Sequence, residues 1–257
     1  MSKIKNFLVI ISYVGTKYHG WQIQKNAITV QEVFQNALRK IVKSNVDVKG
    51  CSRTDAGVHA NMYCVSFKIF SSISPGSIIH ALNSLLPDDI VVKSCFQVSE
   101  DFHARYSCVA KEYVYKLYYH KIKDPFMADR VFYYPYKFNF ELLKDACEFF
   151  VGKHDFSAFC CNNIQYKLRK NYDFVREILC INIKKYAKII EFNIKANGFL
   201  FRMARIIVGT LLEIARNKIH ISDLKIIFDS KNRKNAGPTL PACGLYLNNV
   251  SYQNIRI

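Results

Sequence analysis

Residues 51–69 read CSRTDAGVHANMYCVSFKI, and the fold turns on how this stretch is divided. Its second part has the period of a half-buried strand, because Val65, Phe67 and Ile69 alternate with Cys64, Ser66 and Lys68. Its first part carries one carboxylate, Asp55, two residues after Arg53 and just before Ala56-Gly57. Asp close to Gly is ordinary turn chemistry, since the carboxylate bonds nearby N–H groups and Gly supplies positive φ. The same carboxylate beside an Arg is also a charge placed for chemistry. On residue preferences alone the turn is the better reading.

Outward from this loop and strand, the chain alternates strand and helix patterns. Leu8–Tyr13 is a compact apolar strand. Thr29-x-x-Glu32 makes a capping box ahead of Val30, Val33, Phe34, Ala37, Leu38 and Ile41 at helical spacing. A short strand is expected over 46–49, a helix over 77–86 ending at Pro87, and a strand over 90–98. The second half repeats the order: a strand at 113–119, a helix at 140–150 capped by Asn139, and paired strands at 174–183 and 189–195. A long helix over 199–215, a shorter one after Ser222 and a last strand at 245–252 follow. This order predicts an α+β fold of two tandem ferredoxin-like units, residues 1–104 and 105–257, whose mainly antiparallel sheets lie side by side with a central cleft.

Composition narrows the function. The 257 residues are half hydrophobic, a globular balance, yet 37 Lys and Arg against 20 Asp and Glu leave a net charge of +17. Such a field attracts polyanions, nucleic acid foremost. Nine Cys include one adjacent pair, Cys160-Cys161, and no Cys-x-x-Cys or His spacing of a metal site, so reduced thiols in a cytoplasmic protein are expected. The apolar N-terminal run is too short to span a membrane and lacks a cleavage pattern. The helix over 199–215 carries Arg202 and Arg205, which is wrong for lipid. In an apolar helix these two charges must be paired or turned toward an anion. Sparse carboxylates argue against a Mg²⁺-dependent nuclease, and the missing Gly-rich phosphate loop argues against a nucleotide-driven enzyme. There remains a basic protein expected to use no metal and no cofactor, with acid–base or covalent chemistry on a nucleic-acid base.

Several polar and aromatic blocks fall at expected loops and strand ends: GTKYHGWQIQ (15–24), EDFHARYS (100–107), KEYVYKLYY (111–119), GKHDFSAF (152–159) and ANGFLFRMARIIVGT (196–210). Each also has a plain structural reading. Tyr113, Tyr115 and Tyr119 on one strand face fit a core, His154-Asp155 fits a loop hydrogen bond, and His19 and His59 fit satisfied polar residues.

RTDAGVHA (53–60) resembles the signature of TruA-type tRNA pseudouridine synthases. The resemblance runs in family order through GTKYHGWQIQ, LNSLLPDDI (82–90), DFHARYS, KEYVY, GKHDFSAF, NGFLFRMARIIVGTL (197–211) and AGPTLPACGLYL (236–247), covering essentially the whole chain. It implies isomerisation of uridine to pseudouridine at positions 38–40 of the tRNA anticodon arm, without metal or organic cofactor, by a homodimer gripping one tRNA. Asp55 matches the family nucleophile, which would attack uracil C6 or ribose C1′, or act through a glycal intermediate. Arg53 matches the signature arginine, which can pair with Asp55 or fill the space left by the flipped base. Arg205 matches the helix arginine that faces the carboxylate, and Tyr113 matches the tyrosine that stacks on the flipped base. Arg202, His59 and Arg105 lie in matching blocks and are assigned to substrate binding. Two other classes stay open: a tRNA-binding chaperone without catalysis, and a metal-dependent nuclease. The chain departs from the family at Ser52, where Gly is usual, which costs strain if φ is positive there. It departs again at Phe201, where Tyr is common.

Overall fold

Strand β1 (Lys3–Tyr13) runs between two antiparallel neighbours, β3 (His59–Ser71) and β4 (Ile90–Val98). Its near-continuous apolar run, Phe7–Ile11, is buried on both faces. The structure, a computed structural model, describes residues 3–161, 172–253 and 255. Helix α1 (Val30–Val42) starts where Thr29 accepts the Glu32 N–H at 3.4 Å, the forward half of the expected capping box. It buries Phe34 and Leu38, and the Phe34 ring lies 6.4 Å from Phe67, which in turn meets Phe7. Helix α2 (Pro75–Asn83) has Ser74 as its cap and Pro at its first position. It stops short of the expected Leu86, and the Asn83 side chain binds both main-chain groups of Val92 on β4. A two-residue strand, β2 (Lys49–Gly50), flanks β3.

Strand β3 is more buried than its alternation implies. Cys64 and Ser66 are buried as fully as Val65 and Phe67, and Lys68 alone of that row reaches water. The cause is the segment 99–104 lying across that face. Ser66 Oγ accepts the Ala104 N–H at 3.0 Å, and the Asn6 amide donates to Ser99 and Phe102 carbonyls at 2.8 and 2.9 Å. Small Cys and Ser side chains leave room for main chain to approach, so burial there carries no hydrophobic signal.

Strand β10 (Leu245–Tyr252) completes this part of the fold. It runs parallel to β3, pairing Tyr246 with His59 and Leu247 with Ala60, and Tyr252 donates to the Ala104 carbonyl at 2.7 Å. The chain accordingly divides into two compact units: 1–109 with 246–257, and 110–245. A division by chain order into 1–104 and 105–257 does not anticipate this return.

In the second unit, β5 (Cys108–Tyr118) pairs with β9 (Ile189–Ala196), β9 with β8 (Val175–Tyr186), and β8 with β7 (Gly152–Asp155), all antiparallel. The short β6 (Phe132–Tyr133) lies parallel beside β5. Helix α3 (Phe140–Glu148) is capped by Asn139, which accepts from Glu141 and Leu142, and packs on α4 (Met203–Ala215). Helix α4 is buried on nearly every face, with only Arg205 and Glu213 partly exposed. It begins at Met203 and not at Phe199, because Arg202 adopts a left-handed conformation at φ 62°, ψ 11°. Helix α5 (Asp223–Ser230) brings Phe228 into a ring cluster with Phe150, Phe156 and Phe159. The fold is α+β in both units, and no described helix is long and apolar enough to cross a membrane.

Candidate active site

The loop between β2 and β3 is held by main-chain bonds and by two tyrosine hydroxyls. The Cys51 N–H donates to the Cys64 carbonyl at 2.9 Å, and the Tyr63 hydroxyl donates to the Ser52 carbonyl. Ser52 is not among the residues with positive φ, so Ser in place of the usual Gly carries no left-handed strain. Beyond it, Thr54 bonds the Tyr13 hydroxyl at 2.8 Å, and its carbonyl accepts the Trp21 N–H at 3.3 Å. A turn then closes from the Val58 N–H to the Asp55 carbonyl at 3.2 Å, with Gly57 third at φ 77°. Positive φ at that position is what a type II turn requires, and Gly supplies it without steric cost. The turn reading of Asp55 therefore holds for its backbone. The half-buried carboxylate is carried on a turn that main-chain atoms close.

A second loop is pressed against the first. Gly20, at φ 84°, lies so near the Thr54 carbonyl that a Cβ there would sit 2.2 Å from its oxygen. Tyr18 carries the Gly57 N–H on its carbonyl and donates its hydroxyl to Asp89 at 2.5 Å. Burial, and then the Asp89 carboxylate, push the Tyr18 phenol well above its ordinary pKa, so it stays a donor. His59 is fully buried at the start of β3. Its Nδ1 accepts the Gly15 N–H at 3.1 Å and its ring stacks on Tyr246 at 4.6 Å. His59 thus holds the 15–21 loop against the Asp55 loop and is enclosed by its own unit.

Arg53 is exposed and lines a cavity of the first unit together with Arg105. The Arg105 N–H binds His103 Nδ1 at 3.0 Å, which turns the segment 103–106. Tyr113, Arg202 and Arg205 belong to the second unit. Tyr113 is buried on β5 with its ring edge-on to Phe199 at 4.8 Å. Arg202 is exposed, its guanidinium 4.8 Å from the Phe201 ring, and its left-handed backbone costs about 1 kcal/mol. Arg205 is half-buried and donates from Nε to the Leu240 carbonyl at 2.6 Å, one answer to the charge on an apolar helix. His154 and Asp155, read as a loop pair, instead end strand β7, and each side chain has a local partner: Asp155 accepts from the Ser157 N–H and hydroxyl and from Lys231, and His154 bonds the Val151 carbonyl. Among the described residues no three His, Cys, Asp or Glu side chains converge on a possible metal position.

Sequence reasoning passed over Trp21, Tyr63 and Gln31 as structural parts of this site. Trp21 stacks on Tyr63 at 4.3 Å, and buried Gln31 accepts from the Ile23 N–H at 3.1 Å and donates to Val48. A Gln one position into a capped helix was the available signal, since a polar residue on an apolar helix face needs a partner.

The profile of the tRNA pseudouridine synthase family matches residues 9–107 and 146–253, so it takes in the Asp55 loop, the 99–107 segment and α4. A tRNA pseudouridine synthase A of Acetivibrio thermocellus is 42% identical over 249 residues, covering 97% of this chain and all of the relative. One of Ruminiclostridium cellulolyticum is 42% identical over 253 residues, covering 98% of this chain and all of its own. A third, of a Thermoanaerobacter species, is 41% identical with 97% and complete coverage. With likeness at this level running through both units, the chain belongs to the tRNA pseudouridine synthase family.

Proposed function

We propose that this protein isomerises uridine to pseudouridine in the anticodon arm of tRNA, with the Asp55 carboxylate as the attacking group. The observation that carries the reading is the Asp55 turn, a half-buried Asp on a turn closed from the Val58 N–H to its own carbonyl, inside a chain of this family. The reaction breaks the bond between ribose C1′ and uracil N1 and forms one from C1′ to C5. The C5 proton is lost and N1 gains one, so no net redox change occurs. Asp55 adds to C6 of the uracil or to C1′ of the ribose, or a glycal intermediate intervenes. Arg53 and Arg205 act as the two arginines of the reaction, and Tyr113 stacks on the extruded base. Stacking of that kind offsets the unstacking cost by about 1–3 kcal/mol per base. Arg202 and Arg105 bind phosphate, and His59 contributes by positioning the loops. The protein works without metal or cofactor, as a homodimer, in the cytoplasm where tRNA is matured.

Asp55→Ala tests the assignment. The expected result is loss of pseudouridine formation with tRNA binding nearly unchanged, read by mapping pseudouridine in tRNA from cells carrying either form. Activity that survives the change, or that a chelator removes, overturns it. Equal tRNA refolding by both forms with no pseudouridine from either would favour the chaperone class instead.

A further inference from the structure

The first unit contains a cavity of about 300 Å³, at the lower end of ligand-site volumes. Its lining joins segments far apart in the chain: Trp21, Lys49 of β2, Arg53 from the Asp55 loop, and His103, Arg105 and Tyr106. Three cationic side chains face one carboxylate, Asp47, which pairs with Lys49 at 2.6 Å. The walls are set before any ligand arrives. Trp21 is stacked on Tyr63, and Gln31 ties residues 22 and 23 to Val48. His103 Nδ1 accepts the N–H groups of Arg105 and Tyr106 at 3.0 and 3.3 Å, so the imidazole is neutral with its proton on Nε2. Burial, then the charges of Lys49 and Arg105, hold its pKa below the usual value, in agreement with that tautomer. Against this ring, at 4.4 Å, lies Tyr106, which is 79% exposed and has the Arg105 guanidinium 6.0 Å from its centroid.

Tyr106 thus presents an exposed aromatic face on a cavity lined by cations, and a phosphate together with a base would use both. We propose that this cavity is a second nucleotide subsite, in which Arg53, Arg105 and Lys49 hold a backbone phosphate and Tyr106 stacks the base of the nucleotide adjacent to the isomerised uridine. Adjacency follows from the chain: Arg53 and Asp55 are two residues apart, a reach of at most ~7 Å. Cations fix the register on the backbone, and an aromatic face accepts any base, so the subsite is sequence-tolerant. The inference rests on the proposed activity but is read from equilibrium binding, which does not need turnover.

The test uses the whole protein and a short RNA hairpin carrying the target uridine, with either a normal or an abasic nucleotide beside it. Tyr106→Ala is expected to weaken binding of the normal hairpin about tenfold, and Tyr106→Phe to restore it. The abasic hairpin should bind wild type with a similar loss, and Tyr106→Ala with no further loss. Arg105→Gln should lower the slope of log affinity against log salt by about one. Because Tyr106 is exposed, its replacements should unfold at the wild-type midpoint. Losses that add between the variant and the abasic hairpin, or wild-type affinity in Tyr106→Ala, overturn the subsite. Wild-type protein that makes no pseudouridine overturns the parent activity and leaves this binding result standing.

Discussion

Asp55, Gly57 and Gly20 divide the work of one loop, and each is legible to a different degree. The carboxylate and its neighbouring Gly stand out locally, because turn chemistry spans four residues and needs no knowledge of the rest of the chain. Gly20 does not stand out, since its necessity comes from the Thr54 carbonyl, 34 positions later in the chain. Gly20→Ala places a methyl where that oxygen already sits, and its φ of 84° adds strain of about 1 kcal/mol. The expected outcome is a destabilisation of about 1–3 kcal/mol by denaturant titration and a larger proportional fall in kcat than in tRNA affinity. Unchanged turnover would show that the contact does not position Asp55. Ser52 was a doubt that only dihedral angles could remove, and they do.

At the scale of elements, caps and apolar periods placed most helices and strands within a few residues, whereas burial by non-sheet chain was invisible. Thr29 is fully buried and caps α1, so Thr29→Ala should cost about 1 kcal/mol, read as a lower unfolding midpoint. A second joint links β7 to the end of α5 through Asp155 and Lys231, 2.9 Å apart. Burial alone would push the Asp155 carboxyl up, but hydrogen bonds from Ser157 and Lys231 outweigh it and hold the pKa below the usual carboxylate range. A depressed pKa contributes stability above the unfolded value, near 3.9, and loses it as pH falls through the lower folded value. Lys231→Gln should therefore be less stable than wild type at neutral pH by under about 1 kcal/mol, the pair being half exposed. The gap should close as the solution is acidified. A difference that persists unchanged in acid would assign the effect to packing. The start of α4 was misplaced by its apolar run, because residues 199–201 are apolar for the sake of contacts such as Phe199 with Tyr113 and not for helix.

For the whole molecule, the net charge of +17 makes tRNA affinity a steep function of salt, with a loss of at least about a hundredfold expected between 50 and 200 mM monovalent salt. A flat profile would mean that the excess Lys and Arg reflect composition and not recognition. The fold class was readable from element order, but membership of the units was not, because parallel pairing of β10 with β3 joins parts of the chain that local patterns never compare. That pairing also has a bearing on synthesis. Asn61 and Asn248 hydrogen-bond although 187 residues separate them, and Tyr246 is the ring on which His59 stacks. At about 5–20 residues per second, roughly 10–40 s pass on the ribosome between translation of the Asp55 loop and of the strand that flanks it. Throughout that interval the nascent chain presents the start of β3 without its β10 partner beside the Asp55 loop, a stretch of open strand edge of the kind that chaperones shield.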